Sequence, residues 1–247
     1  MAGSTDDTAF GLEAAQWHEY DSVDAMTAAL ADELARTCER AVAEHGRALL
    51  ALAGGRTPLP LYRALAAMPL PWSRIVLVPT DDRCVPHEHA ACNLSQIAAA
   101  FEAADGATML PLTAKDGDAE VSAAIAIQAL EPHRSQAFDA VVLGMGNDAH
   151  TASLFPHASQ LAQAMKPSNS LDACRLDPIP LPPEAPFPRI TLTRARLQRA
   201  RALHLVISGA EKRDVLERAR ASDDRMSHPI AAVLDAPAAQ VHLHWSP

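Results

Sequence analysis

Several protein classes are excluded by what this chain has little of. Its four cysteines, Cys38, Cys84, Cys92 and Cys174, form no CxxC pair and no regular spacing. That argues against a disulfide framework and suits a reducing compartment. No run of about 18 apolar residues occurs, so no membrane-spanning helix is expected. The opening residues MAGSTDDTAFGLEAAQ carry neither the basic stretch nor the apolar segment of a secretory signal. A cytoplasmic protein is expected, with residues up to about 14 disordered. Cations are outnumbered, 21 Lys and Arg against 30 Asp and Glu. The resulting formal charge of −9 disfavours nonspecific binding to nucleic acid or anionic membranes, yet leaves room for a local anion site. Five arginines crowd one run, Arg189, Arg194, Arg196, Arg199 and Arg201. Aromatic residues do not interleave with them, and several are read as solvated helix or turn positions rather than a nucleic-acid surface.

What is present is an apolar pattern large enough for a core. With 247 residues, 49% of them hydrophobic, the chain is read as one α/β domain spanning residues 1–247. Asp21 and Ser22 offer an N-cap, Met26, Leu30, Leu34 and Cys38 recur every fourth residue, and Gly46 supplies a stop. These predict a helix of about six turns. ALLALA (48–53), RIVLVPT (74–80), FDAVVLG (138–144) and LHLVISG (203–209) read as buried strands with helices between them. The expected architecture is a three-layer, doubly wound, largely parallel sheet of Rossmann-like type.

In such sheets ligands bind beyond the carboxyl ends of the strands, and the polar clusters fall there. Gly54-Gly55-Arg56-Thr57, Asp81-Asp82-Arg83, Asp148-Ala149-His150 and Gly209-Ala210-Glu211-Lys212 each follow a strand, so four segments are expected to meet in one crevice. Two glycines allow close backbone approach, and a following helix opened by Thr57 and Pro58 would offer free N–H groups to an anion. The same residues also suit an ordinary strand-to-helix turn. Neither G-x-G-x-x-G nor a P-loop is present, so a dinucleotide or ATP is not indicated. His150 is placed either to take a proton from water, oriented by Asp148, or to cap a following helix with Thr151. His87, His89, His157, His204, His228, His242 and His244 show no metal-ligand spacing, and no metal is expected. His87 and His89 are read as surface residues of a proline-flanked loop. The proline-rich IPLPPEAPFP (179–188) is read as a rigid crossing loop.

These blocks carry a resemblance. LALAGGRTPLPLY, VPTDDRCVPHEHAACN, VVLGMGNDAHTASLFP, PRITLTRARLQRARALHLVISGAEKRDVL and HPIAAVL, in that order over about residues 48–234, resemble the conserved segments of the 6-phosphogluconolactonase family. The resemblance implies hydrolysis of 6-phospho-D-glucono-1,5-lactone to 6-phospho-D-gluconate in the oxidative pentose phosphate pathway, without a cofactor. The partner is then a small phosphorylated sugar lactone, and the oligomeric state stays open, a monomer being compatible. It implies His150 as general base with Asp148 beside it. Gly54, Gly55, Arg56 and Thr57 would form a phosphate loop, with Arg189 and Lys212 as further cations. Arg83 would contact the phosphate or the oxyanion, and Asp81 would contact substrate or hold Arg83. The chain departs from the family at Ala53, Asp82, Cys92 and Ala149; the last stands where the family has a glycine between aspartate and histidine. Two other readings remain. One is an amino-sugar-phosphate isomerase/deaminase, against which DDRCVP and SLFP count. The other is a noncatalytic sugar-phosphate-binding module.

Overall fold

The computed structural model describes residues 12–182 and 185–247. Disorder expected up to about residue 14 therefore falls mostly outside the described residues. Within them Leu12 is already buried, its carbonyl accepting the Ala15 N–H. In chain order the elements begin β1 (Gln16–Glu19), α1 (Val23–His45), β2 (Ala48–Leu52), α2 (Leu59–Ala66), β3 (Ile75–Pro79), β4 (Asp81–Arg83), α3 (Asn93–Ala100), β5 (Thr108–Met109) and α4 (Ala119–Leu130). They continue β6 (Ala140–Leu143), α5 (Leu161–Ala164), β7 (Ala173–Leu176), β8 (Arg189–Leu192), α6 (Arg194–Gln198), β9 (Ala202–Ser208), α7 (Ala210–Ala221), α8 (Pro229–Leu234) and β10 (Gln240–Ser246).

The long helix forms where its punctuation predicts. Ser22 Oγ accepts the Ala25 N–H at 3.1 Å, and Gly46, at φ 80°, donates its N–H to the Val42 carbonyl. Both are the expected cap geometries. Its repeating apolar stripe, Met26, Leu30, Leu34 and Cys38, is buried. No helix among the described residues is long and apolar enough to cross a membrane.

Seven strands make a wholly parallel sheet in the order β1-β10-β9-β6-β2-β3-β5. Both faces are covered, so β2, β3 and β6 are buried along their whole lengths, as parallel strands between helical layers must be. Leu50, Leu52, Leu77 and Val142 pack with Leu30, Leu34 and Tyr62 of α1 and α2 on one face. Leu49, Val76, Val141 and Leu205 pack with Leu130, Leu216 and Val233 on the other. The three-layer, doubly wound architecture is as expected. The four strands read from sequence form its centre; β1, β10 and the two-residue β5 extend its edges. A second, antiparallel sheet, β4-β8-β7, was not expected. Its strands are three or four residues long and mostly charged or mixed, which hides them from a hydrophobic pattern.

The arginine run is less solvated than expected. Arg189 and Arg196 are buried and only Arg201 is exposed. Arg196 stacks over Phe138 with its guanidinium carbon 3.7 Å from the ring centroid. Burial, then neighbouring Arg199, pulls its pKa down to about 10 against the opposing pull of Asp172. Asp172 also binds Arg199 at 2.6 Å and faces Arg196 at 3.8 Å. Removing one member of a buried ion pair leaves an uncompensated charge, so Asp172→Ala should lower the unfolding free energy by about 3 kcal/mol. Chemical denaturation would show it as a shifted midpoint with an unchanged slope.

Candidate active site

The sheet changes winding direction between β2 and β6. From β2 the chain runs outward through β3 to β5, and from β6 it runs the other way through β9 and β10. Neighbouring loops at such a point leave in opposite directions and open a crevice at the carboxyl ends. Here the loop after β2 carries Gly54, Gly55, Arg56 and Thr57, and the loop after β6 carries Gly144, Met145, Gly146 and His150. Asp81 and Arg83 from β4, Arg189 from β8 and Lys212 from α7 complete the lining. All four expected segments meet.

On the β2 side, Gly55 has φ 93° and Gly54 packs against the Asn93 side chain, where any Cβ would overlap the carboxamide. Both glycines are therefore required by conformation or by contact. Thr57 does not cap the helix: Pro58 occupies the N-cap of α2 without a side-chain hydrogen bond, while Arg56 and Thr57 remain exposed in the turn. Asp82 caps instead, but for α3 and from outside it. Its carboxylate accepts the N–H groups of Asn93 at 2.7 Å and Leu94 at 2.9 Å. Burial raises the Asp82 pKa against those donors.

Asp81 does not hold Arg83. Its buried carboxylate accepts from Ser153 Oγ and from Thr80 Oγ1 at 3.3 Å. Arg83 is held by the Ala91 carbonyl at 3.0 Å and by Asn93 Oδ1, while Asn93 Nδ2 donates to the Asp81 carbonyl at 2.9 Å. Asn93 thus ties Gly54, Asp81 and Arg83 together. Arg83 and Arg189 are directly opposed across the β4–β8 ladder, a like-charge pairing that is unfavourable by itself. Arg189 donates to the Ala185 carbonyl at 3.1 Å and lies over the Phe155 ring at 5.0 Å. Burial lowers its pKa, and Arg83 lowers it further. Among the described residues, Arg56, Arg83, Arg189 and Lys212 have no carboxylate within ion-pairing distance. Four cations against the one lining carboxylate of Asp81 give this crevice a local excess of positive charge, suited to an anion, in a protein of net charge −9.

On the β6 side, His150 Nδ1 donates to Asp148 Oδ1 at 2.5 Å, and its ring stacks on Phe155 with centroids 4.0 Å apart. Asp148 stands behind the histidine, on the wall of a neighbouring depression. Burial pushes its pKa up, but the hydrogen bonds and charge of His150 outweigh this and hold it below the usual carboxylate value. No helix follows for His150 to cap. Residues 151–154 make a turn closed by Leu154 N–H to the Thr151 carbonyl, and Thr151 Oγ1 donates to the Gly144 carbonyl at 2.8 Å. Gly146 has no room for a Cβ, which would overlap His150 and Asp148. Lys212 Nζ donates to the Met145 carbonyl at 2.7 Å; burial lowers its pKa.

Ala149 sits at φ 62°, and Ala152 and His157 are also left-handed. Alanine keeps the conformation because the loop is clamped: Ala149 N–H to the Gly146 carbonyl, Ile230 N–H to the Ala149 carbonyl, and Gly146 N–H to the His150 carbonyl. Such strain persists only where surrounding bonds over-determine the backbone.

Of the residues that the family resemblance implies for the site, Gly54, Gly55, Arg56, Thr57, Asp81, Arg83, His150, Arg189 and Lys212 line this crevice, and Asp148 lies directly behind His150. Asn93, Ser153 and Gly146 were not singled out; the signal for Asn93 was its place at the end of the DDRCVPHEHAACN block. Two outcomes follow from this geometry. Ala149→Gly should raise stability by about 1 kcal/mol, read as a higher melting temperature with the crevice intact. Gly54→Ala should displace Asn93 and with it Arg83, lowering turnover efficiency by about 10²-fold while far-UV circular dichroism stays unchanged.

Known proteins resemble this chain over most of its length. The family model described as glucosamine-6-phosphate isomerases/6-phosphogluconolactonase matches residues 21–245. A 6-phosphogluconolactonase of Mesorhizobium japonicum is 38% identical over 94% of this chain and 95% of its own. The Pseudomonas aeruginosa 6-phosphogluconolactonase is 37% identical over 88% of this chain and 89% of its own. The crystal structure of a Shewanella baltica 6-phosphogluconolactonase superposes with a TM-score of 0.87 at 30% identity, covering 96% of this chain and all of that one. A crevice at the winding reversal, lined by unpaired cations and a carboxylate-bound histidine, is thus set in a chain that belongs to the glucosamine-6-phosphate isomerase/6-phosphogluconolactonase family.

Proposed function

We propose that the chain hydrolyses 6-phospho-D-glucono-1,5-lactone to 6-phospho-D-gluconate, with His150 as the base that activates water. The observation that carries the reading is the Asp148–His150 pair opening onto a crevice of cations without carboxylate partners. Asp148 accepts the Nδ1 proton, so the imidazole keeps its lone pair at Nε2, the tautomer a general base needs.

The phosphate enters beside the Gly54–Thr57 turn, where Arg56, Arg83 and Arg189 oppose its charge; the like-charged Arg83–Arg189 pairing then has a dianion to satisfy it. Binding the remote phosphate fixes the ring so that its carbonyl faces His150. His150 Nε2 takes a proton as the water oxygen bonds to C1, giving a tetrahedral oxyanion. Lys212, fixed to the Met145 carbonyl on the His150 loop, is the cation placed to stabilise it. Collapse breaks the bond from C1 to the ring oxygen, which takes the proton from His150. The product acid then loses a proton to solvent.

The expected result is enzymatic hydrolysis of freshly generated lactone above the spontaneous background, with His150→Ala lowering kcat by about 10²–10⁴-fold. Arg189→Lys should raise KM more than it lowers kcat, while Lys212→Met should act mainly on kcat. Unphosphorylated gluconolactone should be a poor substrate. Equal inactivity of native protein and His150→Ala, with phosphosugar binding retained, would instead indicate a binding module. Deamination or isomerisation of an amino-sugar phosphate would indicate the other branch of the family.

A further inference from the structure

Away from the crevice, four histidines from three strands, His18, His204, His242 and His244, form one stack. Register pairs His18 of β1 with His244 of β10, and His242 of β10 with His204 of β9. Their rings lie face to face, with centroids 4.7 Å apart for His18 and His244 and 4.9 Å for His204 and His242. They occupy the sheet face that packs on α1, and α1 sends Glu33 to them: Glu33 Oε1 is 3.9 Å from His204 Nδ1. His244 Nε2 is 3.1 Å from the same His204 Nδ1. None of these residues lines the crevice.

We propose that Glu33, His204 and His244 form a binding site for a zinc-class divalent transition metal, tying α1 to the β9–β10 edge of the sheet. The three ligand atoms lie within 4.8 Å of one another. Two nitrogens bound to one tetrahedral zinc at about 2.0–2.1 Å stand roughly 3.3 Å apart, close to the separation between His204 and His244. Two imidazoles and one carboxylate are a known zinc donor set that leaves a fourth position for water. A further group orients the donors. Tyr20 Oη is 2.9 Å from His244 Nδ1, the outer-shell contact that fixes the tautomer of a ligating histidine.

Without metal, His244 Nε2 donates to His204 Nδ1. On binding, the His244 proton moves from Nε2 to Nδ1 and is donated to Tyr20 Oη; the freed Nε2 lone pair and that of His204 Nδ1 bind the metal beside Glu33. No proton needs to leave the cluster.

The test is titration of the chelator-treated full-length protein with zinc, and with cobalt(II) as a spectroscopic probe. One equivalent should bind, cobalt should give the visible absorption of a low-coordinate site, and saturation should raise the melting temperature. Glu33 is partly exposed, so Glu33→Gln should keep the fold and the hydrolytic activity while weakening metal binding at least about tenfold. Tyr20→Phe should weaken it by about 10–100-fold. His150→Ala should leave binding unchanged. Absence of a stoichiometric binding event overturns the proposal, as does binding that survives Glu33→Gln or disappears with His150→Ala.

Discussion

The pairing of β2 with β6 is the constraint on which the rest depends. Leu50, Ala51 and Leu52 lie opposite Ala140, Val141 and Val142 in parallel register, fully buried between two helical layers. Because the chain winds away in opposite directions from these two strands, the backbone beyond Ala53 and Leu143 diverges. One side becomes the double-glycine turn and the other the histidine loop. A slip in this register would separate the Gly54–Thr57 turn from the His150 loop, whatever the side chains were.

Around that crevice, favourable core packing supports groups that would be unfavourable alone. Arg83 and Arg189 face each other across a short antiparallel ladder, Asp81 and Asp82 are buried, and Ala149 is held left-handed. Each arrangement is stabilised from outside itself. Asp82 accepts the first N–H groups of α3, Asn93 bridges Asp81 and Arg83, and α8 pins the Ala149 carbonyl through Ile230. The cations at the crevice have no carboxylate partners, and on the proposed function a phosphate dianion would relieve their mutual repulsion.

Much of this was legible from residues alone. The four central strands and α1 follow from apolar runs and caps, and the rule that ligands sit at carboxyl strand ends placed Gly54, Arg83, His150 and Lys212 together. The small sheet escaped because Asp81–Arg83 and Arg189–Leu192 are too short and too polar to show a strand period. Their ladder is a tertiary event, formed only when β8 returns beside β4. The same holds for Asn93, whose role depends on contacts with Gly54 and Arg83, and for Arg196, whose burial under Phe138 no local pattern announces.

By itself the sequence determined the α/β class, the polar clusters at strand ends and the residue types suited to phosphate and to proton transfer, because hydrophobic periodicity and turn chemistry are local properties. Tertiary structure decided which groups face each other. It gave Arg83 to Asn93 rather than Asp81, aligned Asp148 behind His150, and stacked four histidines from three strands under Glu33. Such pairings depend on sheet order and register, which arise only when segments far apart in the chain bury their apolar faces together.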